Sequence, residues 1–203
     1  MMQRRCFAVL ALLGALASAV LSEAAPKVGQ PAPDFTSSDS QGVKHTLGAY
    51  RGKVVILEWT NHQCPFVGKH YSTGNMQALQ KHATDTNMVW LSVISSAPGE
   101  QGYVTGAEAN ALTAKRQASP TAVLLDATGA VGRLYDARTT PHMYIIDAQG
   151  TLVYMGGIDD KPSTQLADVQ TAKNYVRVAL GEVLSAKPVS TPVTRPYGCS
   201  VKY

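Results

Sequence analysis

The chain has 203 residues, of which 45% are hydrophobic and only 16% charged, enough to build one compact core and too apolar for a disordered or highly ionic chain. The net charge is +4, and the lysines and arginines are scattered, with no run of five or more. That distribution argues against nucleic acid and against a polybasic membrane contact as partners.

In chain order, Arg4 and Arg5 precede an apolar stretch from Phe7 to Val20, and small residues follow it. The stretch, about 14 residues, is shorter than the roughly 20 that span a bilayer. Residues 1–24 therefore read as a signal peptide, with cleavage expected near Ser22-Glu23-Ala24 or Ala17-Ser18-Ala19. The protein is expected in the periplasm or secreted, with no stable membrane association after cleavage. Residues 25–185 read as one domain, and residues 186–203, with three prolines, as an extended tail.

Within the domain, a small hairpin is expected around Gln41-Gly42. The runs Val54–Trp59 and Met88–Ile94 are continuously apolar or nearly so, as strands covered on both faces should be. A helix is expected from Pro65 to His82, with proline early, where its missing N–H costs nothing. Further on come a helix from Ala107 to Gln117, a strand from Ala122 to Leu125 and a short helix from Ala130 to Tyr135. A hairpin of Met143–Asp147 with Thr151–Met155 follows, and then a long amphipathic helix from Gln165 to Leu184. This alternation predicts an α/β fold with a central sheet covered by helices on both faces.

Of the three cysteines, Cys6 falls in the signal segment, leaving Cys64 and Cys199. An oxidising compartment would let them form one disulfide. Cys64 stands where a buried strand hands over to a helix. A helix N-terminus offers free N–H groups and partial positive charge, and both favour a thiolate, which is the reactive form of cysteine. The alternative for a lone cysteine is a small, inert core residue.

Several segments resemble one family. Gly29-Gln30-Pro31-Ala32-Pro33-Asp34-Phe35 resembles the opening of redoxins and peroxiredoxins, and Leu47–Lys53 resembles the approach to their active site. Cys64-Pro65-Phe66-Val67 sits where thioredoxin-like proteins carry Cys-x-x-Cys, and Thr140-Pro141 resembles their cis-proline segment. The ending Pro196-Tyr197-Gly198-Cys199-Ser200-Val201-Lys202-Tyr203 is similar to that of a peroxiredoxin-like redoxin subgroup with an Asn-His-x-Cys-Pro loop. The resemblance is to peroxiredoxin-like redoxins of the alkyl hydroperoxide reductase/thiol-specific antioxidant type, within the thioredoxin superfamily. It implies a thioredoxin-like fold and a Cys64 thiolate that reduces a small hydroperoxide or exchanges a protein disulfide, without a cofactor. Cys199 or an external thiol reductant would resolve the product.

The sequence also departs from that pattern. Val67 stands in place of the second cysteine of Cys-x-x-Cys, so a local dithiol is impossible, and Asn61 stands where peroxiredoxins carry threonine. The peroxide-polarising arginine of that family aligns with Pro141, and Arg138, three residues away, is the expected substitute. Asn61, His62, Pro65, Phe66, Thr140 and Pro141 are expected to line the pocket. A second reading takes His62, Cys64 and His70 as a copper-binding set in a delivery module of the same fold. Glu58, inside a buried strand, is either a satisfied carboxyl group or a proton acceptor near Cys64.

Overall fold

The computed structural model describes residues 25–203. The expected signal peptide lies outside the described residues. Among the described residues, no helix is long and apolar enough to cross a membrane.

The chain begins with a small antiparallel pair, β1 (Thr36–Ser38) and β2 (Lys44–Thr46), and a 3-10 turn at Leu47–Tyr50. The main sheet follows. Its strands are β3 (Val55–Trp59), β4 (Val89–Ile94), β5 (Ala122–Leu125), β7 (His142–Ile146) and β8 (Leu152–Gly156), in the spatial order β5-β4-β3-β7-β8. β3 runs parallel to β4 and antiparallel to β7, so the sheet is mixed. Every residue of β3, β4 and β7 is buried, in keeping with their apolar runs.

Alternation along β3 sends its side chains into two cores. Val55, Leu57 and Trp59 join Leu91, Val93, Tyr144 and Tyr135 on one face. Ile56 joins Trp90, Ile145, Met76 and Leu79 on the other, beneath α1 (Pro65–Ser72), α2 (Asn75–Asp85) and α6 (Tyr175–Leu184). Between them in the chain come α3 (Gly106–Lys115), α4 (Ala130–Leu134) and the short α5 (Asp168–Thr171).

Two expected helices are each split in two. The helix expected over residues 65–82 breaks after Ser72, where Gly74, with a left-handed φ of 74°, is the N-cap of α2. The long helix expected over residues 165–184 is only α5 and α6. Asn174 N-caps α6 by accepting a bond from the Arg177 N–H at 2.9 Å, and Leu166 is left exposed. A helical spacing of apolar residues therefore overstated continuity where glycine or a capping side chain offered a break.

Glu58 extends into the α1–α2 core and is fully buried. It accepts hydrogen bonds from Tyr71 Oη at 2.9 Å, Trp90 Nε1 at 2.9 Å, Ser92 Oγ at 2.8 Å and Gln80 Nε2 at 3.2 Å. Its carboxyl is thus a satisfied cross-link tying β3 to β4, α1 and α2, and its oxygens are committed to these four donors. The tail runs back across the molecule. Its last strand, β9 (Cys199–Ser200), pairs antiparallel with β6 (Thr139–Thr140) just before β7.

Removing Glu58 strands four buried donors. Glu58→Ala should lower unfolding stability by at least about 3 kcal/mol, measured by urea denaturation.

Candidate functional site

Cys64 is the N-cap of α1, reached by a tight loop from the end of β3. Asn61 shapes that loop. Its Oδ1 accepts from the Gln63 N–H at 2.9 Å, its Nδ2 donates to Gln101 O at 3.2 Å, and its carbonyl accepts from the Cys64 N–H at 3.1 Å. Gly102 makes room for this amide, since a Cβ there would collide with it. Pro65 occupies the first helical turn, and the Gly68 N–H closes that turn on the Cys64 carbonyl at 2.8 Å.

The Cys64 side chain is 1% exposed. Its Sγ lies 3.1 Å from the Thr140 carbonyl oxygen, a contact made by the protonated thiol as donor. Thr140-Pro141 is a cis peptide bond. Thr140 is also directly opposite Cys199 in the β6–β9 pair. Gly198 lies so close to β6 that a Cβ there would collide with the Thr140 carbonyl oxygen. One short segment therefore presents two sulfurs to each other across Thr140. Both cysteines are free in this structure.

The ionisations of the two sulfurs are linked. Burial pushes the Cys64 thiol up, but it is outweighed by the polar groups around the sulfur, the Cys199 thiol first, then the Val67 N–H, the Thr140 hydroxyl and the Cys199 backbone, so the net shift is downward. Cys199 moves the other way, raised first by burial and then by its hydrogen bond to Cys64 and the Cys64 charge. The pair thus loses its first proton from Cys64.

The remaining expected residues fall into place unevenly. Phe66 packs edge-on against the tail residue Tyr197, ring centroids 5.8 Å apart. His62 is half-buried with Nδ1 unpartnered, and burial, reinforced by the Arg116 charge, lowers its pKa. Arg116 donates to the His62 carbonyl at 3.0 Å.

The expected charge-stabilising role of Arg138 is not realised here. Its guanidinium is exposed and held by Asp136, with Nη2 at 2.6 Å from Oδ2. A pair of opposite charges in solvent satisfies it locally, whereas the site offers the Val67 N–H.

The copper set is not assembled either. His70 accepts from Asn75 Nδ2 at 2.9 Å on Nδ1 and faces Tyr197 Oη at 3.2 Å on Nε2, so both its nitrogens are occupied. Among the described residues, no three His, Cys, Asp or Glu side chains come together as a metal site. Sequence reasoning missed the Val67 N–H and the buried partners of Tyr197. The first is a backbone group without a side-chain signature. The second depends on where the tail lands.

A family model described as the AhpC/TSA family matches residues 28–155, which include Cys64 but not Cys199. No curated protein matches the chain in sequence. Among solved structures, a hypothetical protein from Sinorhizobium meliloti 1021 is similar at a TM-score of 0.70 and 25% identity, over 89% of this chain and 96% of its own. An uncharacterized conserved protein from Geobacillus kaustophilus gives 0.73 and 22%, over 87% and 92%. The exposed lipoprotein thioredoxin of Streptococcus pneumoniae gives 0.50 and 25%, over 68% and 97%. The fold is thioredoxin-like.

Thiolate ultraviolet absorbance checks the linked ionisations. The first ionisation of the reduced protein should fall below the ordinary cysteine value of about 8.5 and vanish in Cys64→Ser. Cys199→Ala should move the Cys64 midpoint upward, because a thiol donor to the thiolate is lost.

Proposed function

This chain belongs to the AhpC/TSA family and is a thiol oxidoreductase of the peroxidase-like kind, and from that premise we propose that Cys64 reduces a small hydroperoxide while Cys199 turns the product into a disulfide. The observation that carries this reading is the juxtaposition across Thr140 of a sulfur with a lowered pKa at a helix N-terminus and one with a raised pKa.

The Cys64 thiolate attacks the outer peroxide oxygen and breaks the O–O bond, leaving a sulfenic acid and an alkoxide that takes a proton to become an alcohol, or water from hydrogen peroxide. The Val67 N–H, aimed at the sulfur, supports the charge in this step. Oxidation then removes the negative charge from Cys64. With it goes one cause of the raised Cys199 pKa, so Cys199 ionises more readily once it is needed. Its thiolate attacks the sulfenic sulfur, a disulfide forms, and hydroxide leaves to become water. Two electrons must return each cycle, which calls for an external thiol reductant.

Burial favours a peroxide over a protein disulfide as oxidant. With Cys64 1% exposed, a small hydroperoxide needs only a slight opening to reach the sulfur, whereas a folded disulfide partner requires the tail to leave first. Export belongs to the same proposal and rests on the N-terminal sequence pattern.

Peroxide consumption with a recycling dithiol should disappear in Cys64→Ser. Cys199→Ala should complete one turnover, then accumulate Cys64 sulfenic and sulfinic acid by intact mass. Steady turnover by Cys64→Ser would overturn the assignment.

A further inference from the structure

Lys69, His70 and Asp159 form a buried polar cluster that the chemistry above does not use, at 1%, 0% and 3% exposure. Burying two opposite charges and an imidazole costs free energy unless each finds partners. Here all of them meet the hydroxyl of Tyr197.

Tyr197 donates to Asp159 Oδ1. Its oxygen faces Lys69 Nζ at 3.3 Å and His70 Nε2 at 3.2 Å. Lys69 Nζ lies 3.6 Å from Asp159 Oδ2 and 5.2 Å above the Tyr197 ring, and it also donates to Lys161 O at 2.8 Å. The roles are mutually consistent. Because His70 Nδ1 accepts from the Asn75 amide, Nε2 carries the hydrogen and can donate to Tyr197. Burial lowers the His70 pKa to about 4, which keeps it in this neutral form at neutral pH.

Tyr197 is two residues before Cys199, and Lys69 and His70 are on the helix that Cys64 caps. Gly198, pressed on the Thr140 carbonyl, fixes the chain between them. β6 and β9 pair over only two residues each. Beyond them the tail is held by the Val201 N–H on Arg138 O at 3.0 Å and Tyr203 Oη on Ala137 O at 2.6 Å, and before them by Thr194 at Gly157. Tyr197, however, is the tail contact made to the helix that Cys64 caps. We propose that Tyr197, held by Asp159, Lys69 and His70, is a positioning residue that latches the tail onto α1 and so holds the Cys199 thiol at Cys64. The proposal rests on the reading of Cys199 as the resolving cysteine. It adds that the geometry of the resolving step is set by a buried anchor on the same helix as the reacting sulfur, beyond what β9 pairing and the tail's other contacts to the sheet side provide.

Tyr197→Phe keeps the ring on Phe66 and removes only the hydroxyl. After one equivalent of hydrogen peroxide, Cys64–Cys199 disulfide formation in this variant should slow by about tenfold or more, with sulfinic acid at Cys64 appearing instead. Its Cys64 thiolate midpoint should rise toward that of Cys199→Ala. In the Cys199→Ala background, Tyr197→Phe should not move that midpoint further, because the latch acts only through Cys199. Wild-type disulfide formation with an unmoved midpoint would overturn the proposal, as would a midpoint shift that persists without Cys199. If the unsubstituted protein itself forms no disulfide with peroxide, the resolving role fails, while the midpoint comparison still decides the latch. Should Tyr197→Phe not fold, Asp159→Asn carries the same expectation in both measurements.

Discussion

Two sulfur atoms held across one peptide unit, with a helix N-terminus behind one of them, constrain the rest of this molecule. A thiolate in a site this dry is costly, and four groups offset the cost: the Cys199 thiol, the Val67 N–H, the Thr140 hydroxyl and the Cys199 backbone. Only the Val67 N–H, a backbone group, comes from the helix that Cys64 caps. The others come from β6 and the tail, so the charge on Cys64 depends on segments 76 and more residues away.

The sheet makes that convergence possible. β3 delivers Cys64 at its carboxyl end, and β7, its antiparallel neighbour, begins directly after the cis Thr140-Pro141 bond. The end of one strand and the start of the next are thereby adjacent, so the loop after β3 and the segment before β7 face each other. Glu58 and its four donors tie β3 to the helices that carry the site. This buried carboxyl does structural work, which explains a charged residue in the middle of an otherwise apolar strand.

On the proposed function, the coupling also orders events. While Cys64 carries charge, Cys199 keeps its proton and donates it as a hydrogen bond. A neutral, oxidised Cys64 withdraws that restraint. On that reading the two cysteines act in sequence through their coupling, while Arg138 is engaged with Asp136 at the surface.

The sequence by itself determined the strands of the main sheet, the order of α and β elements around it, and the place of Cys64 at the start of a helix. These follow from side-chain periodicity and from residues next to one another, which are local properties. It also marked Thr140, Pro141 and Cys199, but as separate segments and through likeness to other chains. Local pattern misjudged the helices at Gly74 and Asn174, where a single residue with its own backbone or capping preference outweighed the apolar spacing. Only the tertiary structure decided that Cys199 faces Cys64, that Arg138 and His70 turn to other partners, and that Tyr197 joins a buried Lys69–Asp159 pair. Those contacts link residues far apart in the chain, and their existence depends on where a proline-rich tail docks, which no neighbouring residues dictate.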